Sequence, residues 1–117
     1  MKATELMIGD WVQPCSRSYP VQVESLSVDT INGDMGAAFD PVPLTPEILE
    51  KNGWKTIDRY RYNRGGVWFD IINRGVEDFD IEVSAYDGGF AYVATIYNVH
   101  ELQHALRLCG IKKEILL

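Results

Sequence analysis

Two histidines, two cysteines and no long apolar run set the first limits on this 117-residue chain. A zinc centre takes three or four ligands drawn from His, Cys, Asp and Glu, so two histidines alone do not make one. Cys15 and Cys109 stand nearly the whole chain apart, and no C-x-x-C pair proposes a metal or redox site. Two free thiols in a reducing compartment are expected. Nothing approaches the ~20 apolar residues of a membrane span, and the segment Met-Lys-Ala-Thr-Glu-Leu-Met-Ile-Gly-Asp holds no apolar core, so a cytoplasmic protein without a membrane partner is expected. G-x-S-x-G, a phosphate-binding loop and a dinucleotide fingerprint are all missing. Glu77, Asp78, Asp80 and Glu82 lack the spacing of a calcium loop, and two of them alternate along one run as the wet face of a strand would. Basic residues are scarce in the first half. Residues 1–50 carry Lys2 and Arg17 against eight acidic residues, whereas the remainder is balanced at nine of each, so the net charge of −6 belongs to the front of the chain. Such a front disfavours a nonspecific grip on phosphate backbones.

What the chain does contain is well punctuated. Residues 6–12 and 19–28 read as two extended runs that pair antiparallel, separated by a polar stretch with Pro14 and Pro20. Gly9-Asp10 before Trp11-Val12 is common at the start of small SH3-like barrels, a likeness of fold that carries no function. Residues 29–43 hold Asn32-Gly33, Gly36, Pro41 and Pro43 and read as a turn followed by a loop or a short strand around 36–39. Next comes a short helix. Thr45 is its N-cap, Pro46 its first residue, Glu47 its dipole partner and Gly53 its left-handed stop, with Ile48, Leu49 and Trp54 set to bury.

Residues 58–62, 67–72, 79–86 and 90–97 form four candidate strands joined by glycine-rich turns. In the third, Phe79, Ile81, Val83 and Ala85 share one face. Val67, Phe69 and Ile71, and Phe90, Tyr92, Ala94 and Ile96, are expected to complete it. An apolar face of this size needs a lid, and residues 98–110 supply one as a helix whose Val99, Leu102, Ala105, Leu106 and Cys109 fall on one arc. Residues 111–117 either add a final strand or pack their leucines beside that helix. The expected fold is a single α+β domain: an antiparallel β-meander with a short middle helix and a C-terminal helix packed on the sheet.

The helix also carries His100-Glu101-Leu102-Gln103-His104, which fits H-E-x-x-H, two zinc ligands one turn apart with a glutamate base between them. The wheel argues against that reading. His100, Gln103, His104 and Arg107 fall opposite the apolar arc, toward water or a partner, whereas a zinc helix must aim its histidines into a cleft. For a third ligand there remain an upstream Asp or Glu, Cys109 on the opposite arc, and Glu114 in a tail too short to fold back as a second helix; in the extended form of the motif Arg107 stands in place of Gly and Gly110 in place of His. No cofactor or metal is therefore expected, and the four polar residues become a candidate partner-binding face. A third pattern interleaves Trp54, Arg59, Tyr60, Arg61, Tyr62, Arg64 and Trp68, the composition of a nucleic-acid surface. A strand would put Tyr60 and Tyr62 on one face and Arg59 and Arg61 on the other, which separates stacking from charge.

Three blocks, Leu6-Met-Ile-Gly-Asp-Trp-Val, Pro43-Leu-Thr-Pro-Glu-Ile-Leu-Glu-Lys-Asn-Gly-Trp and Tyr97-Asn-Val-His-Glu-Leu-Gln-His-Ala-Leu, span nearly the whole chain in this order. With them the chain resembles a family of short uncharacterised proteins encoded by Bacteroides-type gut bacteria and their phages and mobile elements. In that family the last block resembles Val-His-x-Leu-Gln-Asn, which implies that His104 stands where relatives carry an amide and that H-E-x-x-H is particular to this sequence. The expectation is a non-enzymatic interaction or accessory module with a protein partner, presenting the helix face or a sheet edge. A small zinc hydrolase with His100 and His104 as ligands and Glu101 as base is the alternative, and a nucleic-acid-binding module the second alternative.

Overall fold

The computed structural model describes residues 1–58, 60–75, 78–84 and 89–117. A single 3-10 turn, Ala3–Glu5, leads through a bend at Gly9, whose φ of 91° suits glycine, into β1 (Trp11–Pro14). The chain returns as β2 (Val21–Gln22), which pairs antiparallel with β1 as expected. The second run does not continue as a ladder to residue 28. In its place the Asn32 side chain accepts the Glu24 and Ser25 N–H groups and donates to the Gln22 carbonyl, doing the work of a neighbouring strand. Asn32 and Gly33, with φ of 50° and 83°, form the tight turn joining β3 (Thr30–Ile31) to β4 (Asp34–Met35), the hairpin for which Asn-Gly is favoured. A second 3-10 turn, Gly36–Ala38, feeds β5 (Phe39–Pro41) onto the other side of β1. Val12, Val23, Ile31 and Phe39 close with Ala3 and Leu6 into a small hydrophobic cluster.

The middle helix α1 (Pro46–Lys51) follows its local signals. Thr45 Oγ1 accepts the Ile48 N–H at 3.2 Å, Pro46 opens the first turn, and Gly53 ends the segment at φ 87°. Beyond it β6 (Lys55–Thr56), β7 (Arg61–Asn63), β8 (Phe69–Asn73), β9 (Phe79–Ser84) and β10 (Phe90–Ile96) form an antiparallel meander in sequential order, β10 and β6 at its edges. One face is covered by α2 (Val99–Leu108). Val99, Leu102 and Leu106 are buried there against Phe69, Ile71, Phe79 and Ile81, with Leu49 of α1 and Trp54 just beyond it joining them. The protein is thus α+β with antiparallel sheets and a helical lid. Residues 111–117 add no strand: Ile111 and Ile115 bury beside α2, and Asn52 clamps Leu116, accepting its N–H at 2.6 Å and donating to its carbonyl at 2.8 Å. No helix among the described residues is long and apolar enough to cross a membrane. The extents of 47 × 25 × 21 Å are elongated, because two hydrophobic clusters lie side by side rather than around one centre.

Two expectations about the meander need correction. Phe90 and Tyr92 do not lie on the core face. Tyr92 stands opposite Glu82 and Ala94 opposite Ile81, leaving Val93 as an extra residue, a bulge that flips the alternation of everything before it. Phe90 and Tyr92 are consequently turned to the polar face, 53% and 61% exposed. The second correction concerns the carboxylates. Asp80 and Glu82 are each only 9% exposed, not solvated. Arg61 binds Asp70 at 3.0 Å and Glu82 at 3.1 Å, Arg74 binds Asp80 at 2.8 Å and Glu82 at 3.3 Å, and the Phe90 ring covers the Arg61 guanidinium with its centroid 3.9 Å away. Charges brought this far out of water must be matched, and these are. Arg59, Glu77, Ala85 and the Asp87-Gly88 turn lie outside the described residues.

Candidate functional site on the C-terminal helix and the adjoining sheet edge

Asn98 caps α2, and Glu101, three residues on, reaches back to it. Glu101 Oε1 accepts the Tyr97 N–H, the Asn98 N–H and the Asn98 Nδ2 donor, each at 3.1 Å, which satisfies amide groups that a helix start otherwise leaves unpaired. The H-E-x-x-H glutamate is therefore committed to the helix start. His100 is buried, 8% exposed, and burial pushes its pKa below the ordinary 6.5; His104 adds to the shift, and Glu101, Asp10 and Glu5 oppose it. Its ring meets that of His104 edge-on, centroids 5.6 Å apart.

The remaining polar residues of α2 turn toward the chain's own N-terminal segment, with His104 and Arg107 keeping partial contact with water. Gln103 donates to the Gly9 carbonyl at 3.0 Å and accepts the Trp11 N–H at 2.9 Å, so its amide continues the pairing of β1 across to the helix. His104 Nε2 lies 2.5 Å from one oxygen of Asp10, and Arg107 Nη1 donates to the other at 2.9 Å while its Nη2 donates to the Ile8 carbonyl at 3.0 Å. Asp10 is fully buried and also accepts the Met7 N–H at 2.8 Å. The structure sets Gln103, His104 and Arg107 against the chain's own residues 8–11 rather than outward, with His100 buried beside His104. The physical reason is that a wheel marks polarity and not what lies opposite. Gln103, His104 and Arg107 find partners there, whereas His100 Nδ1 is buried without a hydrogen-bond partner.

For metal chemistry this arrangement offers little. His104 Nε2 is held by Asp10, Glu101 is held by the helix start, and among the described residues no group of three or more His, Cys, Asp or Glu side chains is placed to hold an ion. An open depression beside the helix start is bordered by Glu5, Asp40, Tyr97, His100 and Glu101. In the aromatic-basic hairpin Tyr62 is buried in the core while Arg61 points to the polar face and is matched by two carboxylates; Tyr60, which precedes β7, does not share the buried face of Tyr62. Tyr60 and Trp68 remain exposed.

A more apolar unmatched surface lies on the other side of α2. β10 is an edge strand whose seven residues, Phe-Ala-Tyr-Val-Ala-Thr-Ile, carry no charge and no proline. Below its outer margin runs a groove of about 340 Å³ floored by Phe69, Ile81 and Val83 and walled by Val93 and Ala94 on the strand and by Ala105, Leu108 and Cys109 on the helix. Leu108 is 88% exposed and Val93 55%. Sequence reasoning missed Asp10 because its partners stand 94 and 97 residues away. It passed over Leu108 although a leucine off the apolar arc was a readable signal. No protein-family model, curated protein or solved structure matches the chain.

Proposed function

We propose that the chain is a non-enzymatic protein-interaction module, an accessory protein of phage or mobile-element origin acting in the cytoplasm, and that it engages its partner through the margin of β10. The polar face of α2 serves inside the molecule, joining the N-terminal sheet to the meander, and is not offered to the partner. One observation carries the reading: a seven-residue strand of the meander is an edge, it is uncharged, and an apolar groove with an 88% exposed leucine lies beneath it. Monomeric proteins blunt such edges with charge, proline or cover, because unpaired N–H and C=O groups capture other strands. Strand addition gives main-chain hydrogen bonds for affinity and pockets for alternate side chains for selectivity. The zinc and nucleic-acid readings draw no comparable support, since Glu101, His104 and Arg61 are each committed to internal partners.

The test is selection of a displayed library of extended peptides on the parent protein, with Val93→Lys as counter-target. Enrichment of sequences with alternating apolar residues on the parent, lost on Val93→Lys, is the expected result. Equal recovery on both proteins would sink the proposal.

A further inference from the structure

Resting on that reading of the β10 edge, we infer that the strand it takes is β10 of a second copy of this chain, paired antiparallel about a two-fold axis. Two independent features of the same margin point there. The sheet layer ends in a strand guarded by neither charge nor proline, with the bulge at Val93 its one irregularity, and over that strand the helix layer ends in Leu108, so both layers stop at one boundary with apolar surface showing. A foreign peptide would continue the sheet and leave the helix layer open. A second copy continues both: β10 meets β10, and α2 meets α2 with Leu108 and Val93 of each copy between them. The patch is self-complementary as a two-fold interface requires. The formal charge of −6 would oppose association of two copies at long range, but its surplus resides in residues 1–50 and β10 carries none of it.

Area supports a dimer of moderate strength. Phe90, Tyr92, Val93 and Leu108 are 53%, 61%, 55% and 88% exposed. At roughly 150–200 Å² per side chain they hold about 450 Å² of accessible surface in each copy, or about 900 Å² in the pair. The backbone of two seven-residue strands brings the total to about 1,200 Å², the lower end of stable interfaces. The bulge at Val93 interrupts the edge, so pairing runs over the residues on either side of it and association falls in the micromolar range rather than the nanomolar.

Sedimentation velocity on the full chain from about 1 to 500 µM, with Val93→Lys and Leu108→Glu run beside the parent, decides the matter. Both positions are exposed, so both variants are expected to keep the parent's circular dichroism and melting temperature. The expected result is a monomer–dimer equilibrium in the parent whose dissociation constant rises at least tenfold in each variant. A parent that stays monomeric throughout, or a dimer that neither substitution weakens, overturns self-pairing. The peptide selection then separates the two ideas: a monomeric parent that still selects alternating peptides at β10 loses self-pairing and keeps the edge, whereas one that selects none loses both.

Discussion

Replacing Asp10 by alanine removes the carboxylate on which the N-terminal sheet and α2 converge. Asp10 has no solvent exposure and accepts the Met7 N–H, His104 Nε2 and Arg107 Nη1. Two routes give the magnitude. Breaking a buried ion pair by deleting one partner costs about 3–5 kcal/mol, and the side chains of Arg107 and His104, 34% and 26% exposed, can recover part of this from water, which favours the lower figure. Counting bonds instead, the carboxylate accepts three charge-assisted hydrogen bonds, which at about 1–1.5 kcal/mol each also reach at least about 3 kcal/mol. For a chain of this length that lowers the melting temperature by roughly 12 °C. Denaturant unfolding followed by tryptophan fluorescence reads it directly, because Trp11 adjoins Asp10. The same substitution made in an Arg107→Met background should cost about 1–3 kcal/mol less, the coupling expected of groups in direct contact. A loss below about 1 kcal/mol, or strict additivity of the two substitutions, would refute the view that this carboxylate holds the two halves together.

Three further outcomes follow from the same geometry. Burial holds the His100 pKa in the folded protein below the 6.5 of a free histidine, so the unfolded chain takes up a proton there first; stability is full above 6.5, falls as pH drops toward the folded value and levels off beneath it. Urea titrations between pH 5 and 8 should show that slope in the parent and a shallower one in His100→Leu, and equal slopes would remove His100 as the cause. Asn52→Ala, which frees Leu116 and one bond to Ile48, should cost about 1–3 kcal/mol and speed amide exchange at Leu116; unchanged exchange there would show that the tail is held by its isoleucines alone. Glu101→Ala should cost about 1 kcal/mol through the lost helix cap, by the same amount with zinc present as with zinc removed; a penalty that appears only with zinc would revive the metal reading.

The parts of this fold that could be read in advance are those whose causes are local. Thr45, Pro46 and Gly53 announce α1 within nine residues, and Asn32-Gly33 announces its hairpin, because each acts on backbone angles or on amides in its own turn. The α2 stripe is legible for the same reason. Phe90 to Ile96 is apolar or aromatic at every position but Thr95, so the run offers no alternation against which the bulge at Val93, which depends on how β9 is met, could show. Asp80 and Glu82 alternate as solvated residues do, and only Arg61 and Arg74 arriving from outside β9 make them buried ones. Of the candidate site, the clustering of His100, Gln103, His104 and Arg107 was readable. Its inward use was not, since one hydrogen bond from Gln103 spans 92 residues and the other 94.

That span has a meaning in time as well as in space. Residues 8–11 leave the ribosome some ninety residues ahead of the helix that Gln103, His104 and Arg107 bring to them. At bacterial and eukaryotic elongation rates of about 5–20 residues per second the interval is roughly 5–20 s. Throughout it the carboxylate of Asp10 and the free side of Trp11 are bathed in solvent, and the N-terminal strands persist only as a marginal, uncovered sheet. The segment at residues 8–11 is therefore closed by a helix made some ninety residues after it.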